Sequence, residues 1–170
     1  MTTTWFFIVC EIAVISYAMV AGLFLTFSDF IMRSLNSAPP SAGIEVMQNI
    51  NRDIFKSLTI FLLWGMVLLS IFIGVYAILY ISGFASLLLT TGSVAYIVGV
   101  LVVSYTANIP MNDHLKNMVA QDPQAAKYWS EVYVPKWSAW NYLRAIGSGA
   151  AAVCTLAACI SLATASAVTG

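Results

Sequence analysis

Two short polar segments, at residues 108–114 and 137–144, interrupt long apolar stretches and hold the side chains best suited to chemistry. In chain order these side chains are Asn108, Asn112, Asp113 and His114, followed by Trp137, Trp140, Asn141 and Arg144. Residues three or four apart share one face of a helix. Helical segments would therefore bring the two asparagines of the first segment together and would align Trp137, Asn141 and Arg144 in the second.

The first segment offers amide donors and two candidate bases. Asn108 and Asn112 could hold a carbonyl or an oxyanion, because fixed donors stabilise negative charge as it develops. The alternative is that both amides satisfy backbone groups at a helix end that Pro110 kinks. His114, the only histidine, and Asp113 are the candidate general bases, since imidazoles and carboxylates often fill that role. A solvated linker side chain is the alternative for His114.

The second segment combines two indole rings with a guanidinium. Arg144 beside Trp137 and Trp140 would clamp a flat, anionic aromatic ligand through charge and ring stacking. The alternative is an aromatic belt at the membrane interface with an arginine that reaches the headgroups. An arginine inside a helical bundle also needs a partner. The acidic residues considered for that partner are Asp29, Asp53 and Asp113.

The composition predicts an integral membrane protein of one domain, residues 1–170. Of its 170 residues 61% are hydrophobic and 8% are charged, against about 25% charged in soluble domains. The formal net charge is zero, and no basic cluster indicates nucleic-acid binding. One histidine and three cysteines without a C-x-x-C pattern predict no metal site within the chain. We also predict no cofactor.

Four apolar runs are each long enough to cross about 30 Å of hydrocarbon as a helix. They cover residues 5–27, 58–81, 85–107 and 143–165. The sequence therefore predicts an all-α bundle of four transmembrane helices. The linkers between the first and second runs and between the third and fourth runs are long and emerge on the same side, where they could cap the bundle.

Both long linkers show amphipathic helical patterns. In the first, apolar residues at helical spacing over positions 44–58 predict a helix that leads into the second span. Pro39 and Pro40 should block continuation of the first span. In the second linker, Pro110 should end or kink the third span, and residues 111–120 should form a short helix. Asp122 should cap a further helix that runs to Tyr133, and Pro135 should break it.

The distribution of basic residues predicts the orientation. All seven lysines and arginines lie on the side of the long linkers. The positive-inside rule then places both linkers in the cytoplasm and both termini outside. The first run lacks a basic leading segment and contains Glu11, which favours a retained span over a cleaved signal peptide. We expect a bacterial inner membrane.

Four segments, in this order along nearly the whole chain, carry a family resemblance. They are residues 22–28 (GLFLTFS), 47–51 (MQNIN), 108–112 (NIPMN) and 137–144 (WSAWNYLR). The chain resembles the DUF1772, or anthrone oxygenase-like, family of small integral membrane proteins. The residues that the resemblance implicates are Asn51, Asn108, Pro110, Asn112, Trp137, Asn141 and Arg144. His114 is not part of the family pattern.

The resemblance implies a membrane-embedded oxygenase, since characterised fungal members oxidise anthrones to anthraquinones with molecular oxygen. In that scheme His114 or Asp113 is the base, and the arginine and the asparagines of the two polar segments bind the anion. Trp137 and Trp140 stack on the rings, and Asn51 joins the substrate site. The partners would be a small aromatic substrate, O2 and the bilayer.

Two other readings of the sequence stay open. One is a non-enzymatic membrane protein that binds a lipid, a quinone or a partner subunit. The other is an enzyme with a haem or metal shared between chains. A homo-oligomer is compatible with each reading.

Overall fold

Five helices make up the part of the chain that the computed structural model describes, which is the backbone of residues 4–169 and the side chains of residues 4–165. They are α1 (Thr4–Ser37), α2 (Pro40–Asp53), α3 (Leu58–Tyr80), α4 (Gly83–Lys116) and α5 (Pro123–Ala165). All but α2 are long and apolar enough to cross a membrane. Within residues 4–169 there is no strand. The prediction of an all-α, four-span membrane protein is confirmed.

Three of the spanning helices are longer than the bilayer requires. Helices α1 and α4 have 34 residues each and α5 has 43. At 1.5 Å per residue these lengths are about 50 Å and about 65 Å, against about 30 Å of hydrocarbon. The excess lies on the side of the long linkers. The same helices therefore span the membrane and form most of the cap above it.

Two helices continue past prolines at which the sequence predicted a change. The short helix predicted at residues 111–120 is helical as far as Lys116 but is the end of α4, and the predicted break at Pro135 was wrong because α5 continues through it. Each proline follows a π-helical turn by two residues: Ser104–Asn108 before Pro110, and Trp129–Tyr133 before Pro135. The wider π-turn relieves the clash between the proline ring and the carbonyl of the preceding turn, so the helix continues.

The bundle is held by close contacts of small residues. Helix α5 packs along both α1 and α4, and α3 packs on α4 beyond the tight turn at Gly83. At the α4–α5 crossing a Cβ atom on Gly99 would lie 2.8 Å from the Cα atom of Gly147. Deeper in the core, the Tyr17 hydroxyl and Ser70 Oγ lie 2.7 Å apart, and Ser148 donates to the Tyr17 carbonyl. Membrane bundles depend on such packing, because lipid supplies no hydrophobic driving force between helices.

The cap has its own hydrophobic cluster, built from α2 and the extensions of the spanning helices. Its buried residues include Met32, Ile44, Met47, Leu115, Trp129, Tyr133 and Trp137. Gln48 on α2 donates from Nε2 to the carbonyls of Leu115 and Met118, at 2.9 and 3.0 Å, and so satisfies the end of α4. The predicted cap of α5 is confirmed, since Asp122 Oδ1 accepts from the backbone N–H of Gln124 at 2.8 Å.

The α4–α5 crossing generates a stability prediction. Gly99→Ala should lower the free energy of unfolding by about 1–3 kcal/mol, because the new methyl group meets backbone that cannot move aside. Gly22→Ala is the matched control, since nothing lies within 4 Å of a Cβ atom there. It should be neutral or stabilise the helix by up to about 1 kcal/mol. Denaturant titration of both variants in detergent measures the difference, and equal effects would refute the close crossing.

Candidate functional site

A cavity of about 580 Å³ lies at the junction of the bundle and the cap. Its volume falls within the roughly 300–1,000 Å³ usual for small-molecule sites. Helices α1 and α3 contribute apolar walls, which include Phe24, Phe27 and Val67. The polar groups come from α2, α4 and α5. Those predicted from the sequence are Asn51, Asn108, Asn112, Asp113, Trp137, Asn141 and Arg144, and all seven line this cavity.

Arg144 is held without a carboxylate. Its Nη1 donates to Asn141 Oδ1 at 3.2 Å, and its Cζ atom lies 3.9 Å above the centre of the Phe24 ring. Its Nε is buried and has no hydrogen-bond partner among residues 4–165. The ring face and the amide oxygen stabilise the cation. The guanidinium therefore gives the cavity wall a positive charge that no side chain of the described chain neutralises.

The acidic partner expected for Arg144 is not found. Asp29 pairs with Arg33 at 3.1 Å and Asp53 with Arg52 at 3.2 Å, and both pairs are exposed. Asp113 lines the cavity but makes no ion pair within the described range. The expectation was wrong because a ring and an amide take the place of the acid.

Asn141 positions the arginine. It is 1% exposed, and its Nδ2 donates to the Phe24 carbonyl at 2.7 Å and to Ser28 Oγ at 2.8 Å. The Phe24 carbonyl lies beside the π-turn Phe27–Ile31, where the α-helical hydrogen-bond pattern of α1 changes. Both amide hydrogens of Asn141 are thus used within the protein. Its remaining oxygen holds Arg144, so Asn141 has no donor left for the anion contact predicted from the sequence.

The side-chain amide of Asn112 has its oxygen occupied and its nitrogen free, whereas that of Asn141 has its nitrogen occupied. Its Oδ1 accepts from the Tyr133 hydroxyl and from Trp137 Nε1, both at 2.8 Å. An indole N–H can only donate, so the orientation of the amide is unambiguous. The Nδ2 group of Asn112 has no partner among the described residues and remains a donor for a ligand. Asn51 Nδ2 extends this network to the Tyr133 hydroxyl at 3.5 Å.

Asn108 presents an acceptor. Its Nδ2 donates to the Trp137 carbonyl at 3.2 Å, while its Oδ1 is buried and unpaired within residues 4–165. The sequence predicted that Asn108 would donate to an anion alongside Asn112. The structure instead uses the donor of Asn108 to join α4 to α5.

Two of the residues predicted from the sequence do not line the cavity. His114 is exposed, and its ring meets the edge of Tyr128 with centroids 4.6 Å apart. Trp140 is 44% exposed. Although Trp140 lies one turn before Arg144, its ring is partly exposed at the surface and does not line the cavity. The structure therefore separates both side chains from the group around Arg144.

Sequence reasoning missed Tyr133 and Phe24. Tyr133 is buried, bonds Asn112 and stacks near Trp137, with ring centroids 6.2 Å apart and planes at 20°. Its signal was the four-residue spacing to Trp137, which an assumed helix break at Pro135 concealed. Phe24 carried no signal of its own, because an apolar residue in an apolar span is not distinguished until its neighbours are known.

The described residues offer no cluster of three or more histidine, cysteine, aspartate or glutamate side chains that could hold a metal ion. The lining instead combines the guanidinium of Arg144, a free amide donor, an unpaired amide acceptor and several aromatic rings, together with three exposed charged side chains, Arg52, Asp113 and Lys116. Such a lining suits a flat ligand with apolar faces and at least one anionic oxygen.

Comparison with known proteins gives one match. Residues 45–154 match the model of a family described as Anthrone oxygenase. The matched region begins at Glu45 within α2 and includes α3, α4 and the part of α5 that carries Trp137, Asn141 and Arg144. No curated protein and no solved structure matches the chain.

Proposed function

The chain belongs to the anthrone oxygenase family, and we propose that it is a membrane oxygenase that converts an anthrone-like or phenolic substrate to a quinone with molecular oxygen and no cofactor. The observation that carries the proposal is the guanidinium of Arg144. It lies at the wall of an apolar cavity with no acidic partner among residues 4–165 and with a free, buried Nε. A site for a delocalised aromatic anion requires such a group.

The proposed reaction balances with one molecule of oxygen. A base removes a proton from the methylene carbon of the anthrone, and the charge that remains delocalises onto the ring oxygen. The anion then reduces O2, one electron at a time, and a carbon–oxygen bond forms to give a peroxide. Loss of the second methylene proton and cleavage of the O–O bond produce the carbonyl and water. Methylene and O2 thus become ketone and H2O.

The chain's own residues would accelerate the first step. Arg144 and the free Nδ2 of Asn112 donate to the ring oxygen, so the anion is stabilised where its charge develops. Phe24 and Trp137 provide apolar surfaces for the rings. Asn141 acts through Arg144 as a positioning residue, because it fixes the guanidinium to the Phe24 carbonyl and Ser28.

Asp113 is the base in this proposal. It is the carboxylate among the cavity-lining residues, at an exposed position beside Lys116. His114, the other candidate, faces away from the lining toward Tyr128. A base must come within hydrogen-bond reach of the proton that it removes, directly or through one water. Asp113, which lines the cavity, meets this condition better than His114.

The membrane location agrees with this chemistry. Trp64 and Tyr105 line the cavity and are 46% and 54% exposed on the faces of α3 and α4. The centroids of their two rings lie 6.1 Å apart, and the pair would separate the cavity from the surrounding lipid. Flat apolar substrates and O2 both dissolve in hydrocarbon. A substrate could therefore reach the guanidinium from the bilayer.

Removal of the cation is the first test. Arg144→Gln should lower kcat for quinone formation by about 10²–10³-fold, as loss of an oxyanion donor does in other enzymes. Quinone absorbance and oxygen uptake, corrected for oxidation without protein, measure the rate. Trp140→Phe, one turn earlier and outside the cavity, is the control and should retain wild-type activity. Tight ligand binding by the wild-type protein without any turnover would instead support a carrier of lipids or quinones.

A pair of adjacent variants tests the identity of the base. Asp113→Asn should reduce kcat by about 10²–10⁴-fold, the usual contribution of general base catalysis. His114→Gln should change kcat by less than about threefold, since its ring lies outside the cavity. The same assay applies, with thermal unfolding as a check of folding. The reverse ranking would transfer the role of base to His114.

We also propose that the cap faces the cytoplasm, because every basic side chain lies on that side. Single exposed cysteines introduced by Asn36→Cys, at the cap end of α1, and Ser82→Cys, in the turn before α4, report the orientation. A maleimide that cannot cross membranes should label Ser82→Cys in intact cells and Asn36→Cys only after permeabilisation. The opposite pattern would show that the bundle is inverted.

A further inference from the structure

We propose that Asn108 accepts a hydrogen bond from a neutral hydroxyl group of the ligand, so that the site selects hydroxylated aromatic substrates. This inference rests on the proposed function, because it concerns the substrate of the same cavity. It differs from the sequence-based expectation, in which Asn108 donated to an anion.

The orientation of the Asn108 amide follows from its one hydrogen bond. The Trp137 carbonyl can only accept, so the group that faces it must be Nδ2. The other end of the amide is therefore the oxygen. Asn108 is 1% exposed, and its Oδ1 has no donor among the described residues. An acceptor buried without a partner is unfavourable, and Asn108 Oδ1 is the acceptor of this kind among the residues that line the cavity.

The neighbouring groups specify what such a donor belongs to. Arg144 and Asn112 both line this cavity, and each has an N–H group with no partner among the described residues, so they suit an anionic or carbonyl oxygen. Asn108 Oδ1 repels such an oxygen and requires an O–H or N–H group. A ligand that satisfies all three residues carries one oxygen that accepts and a separate hydroxyl that donates. Phenols with a second, ionised or carbonyl oxygen have this pattern.

A series of hydrogen bonds around Asn108 also fixes the position of its Oδ1 atom. Trp137 receives the Asn108 bond on its carbonyl and donates from its indole to Asn112. Asn112 in turn is held by Tyr133. The positions of the acceptor and of the free donor are thus fixed relative to one another through a single tryptophan. A fixed pair of opposite polarity discriminates between ligands, because a mismatched ligand cannot be met by a rotation of the amide.

Binding of stable quinone-type ligands tests the inference without turnover. The probes are 1- and 2-hydroxyanthraquinone with their methyl ethers, titrated at about pH 6, below the usual range of phenol ionisation. Quenching of tryptophan fluorescence in lipid nanodiscs gives Kd. For one isomer at least, the hydroxyl form should bind wild-type protein about 5- to 150-fold more tightly than its ether, the range expected when a buried polar group loses its partner.

Variants separate recognition from packing. In Asn108→Leu the Kd of the ether should be within about threefold of the Kd of the hydroxyl form, because the hydroxyl then gives no advantage. Ser104→Ala is the matched control: Ser104 lines the same cavity from the same helix, and its Oγ bonds the Val100 carbonyl. It should keep the wild-type ratio. If Asn108 had only a structural role, Asn108→Leu would weaken the binding of both ligands equally and leave the ratio of their Kd values unchanged. That result would overturn the inference.

The remaining outcomes separate this inference from the proposed function. Equal Kd values for hydroxyl and ether forms in wild-type protein overturn the role of Asn108 while oxygenase activity can persist. A preserved hydroxyl preference with no quinone formation from anthrones overturns the oxygenase and leaves the hydroxyl site intact. Failure of all four probes to bind overturns the hydroxyl site, while quinone formation from anthrones decides whether the oxygenase stands.

Discussion

The guanidinium of Arg144 lies inside the membrane bundle with a phenyl ring beneath it, an amide oxygen at one edge and no carboxylate among residues 4–165. A charge at this depth is unfavourable unless polar groups or water surround it. The surrounding structure meets that demand. Asn141 fixes the guanidinium to α1, Phe24 covers one face, and Nε is buried beside the cavity without a partner among the described residues. Because no acid neutralises it, the cation remains available to an anionic ligand.

The cap depends on helices that pass through proline. Pro110 and Pro135 each follow a π-turn, and the helices continue past both. In α5 this continuity sets Tyr133 and Trp137 one turn apart on the same face, where both donate to Asn112 on α4. Had α5 ended at Pro135, these two donors would belong to separate segments, and the Asn112 amide would lack its orientation. The π-turns thus connect the architecture of the cap to the polarity of the site.

Three asparagines of the site have three different roles, although their side chains are chemically identical. Asn141 donates both amide hydrogens to α1, and its oxygen accepts a hydrogen bond from Arg144. Asn112 has its oxygen occupied and presents a donor, whereas Asn108 has its nitrogen occupied and presents an acceptor. The free group of each amide is the one that its neighbours leave over. The proposed discrimination between ligand oxygens and ligand hydroxyls rests on these neighbours.

The sequence alone determined that this chain lies in a membrane and how many times it crosses it. A chain with 61% hydrophobic and 8% charged residues belongs in lipid, where its backbone hydrogen bonds are satisfied within helices. Helical spacing also selected five of the seven predicted residues that line the cavity, since positions three and four apart share a face, whereas Asn51 came from the family resemblance and Asp113 from its carboxylate. Tertiary structure decided the rest. It separated His114 and Trp140 from the cavity, replaced the expected acid beside Arg144 with Phe24, and placed the Tyr133 hydroxyl in a hydrogen bond with Asn112. Spacing fixes the face of one helix, but the polarity that a side chain shows to a ligand depends on which of its atoms another helix has already bonded.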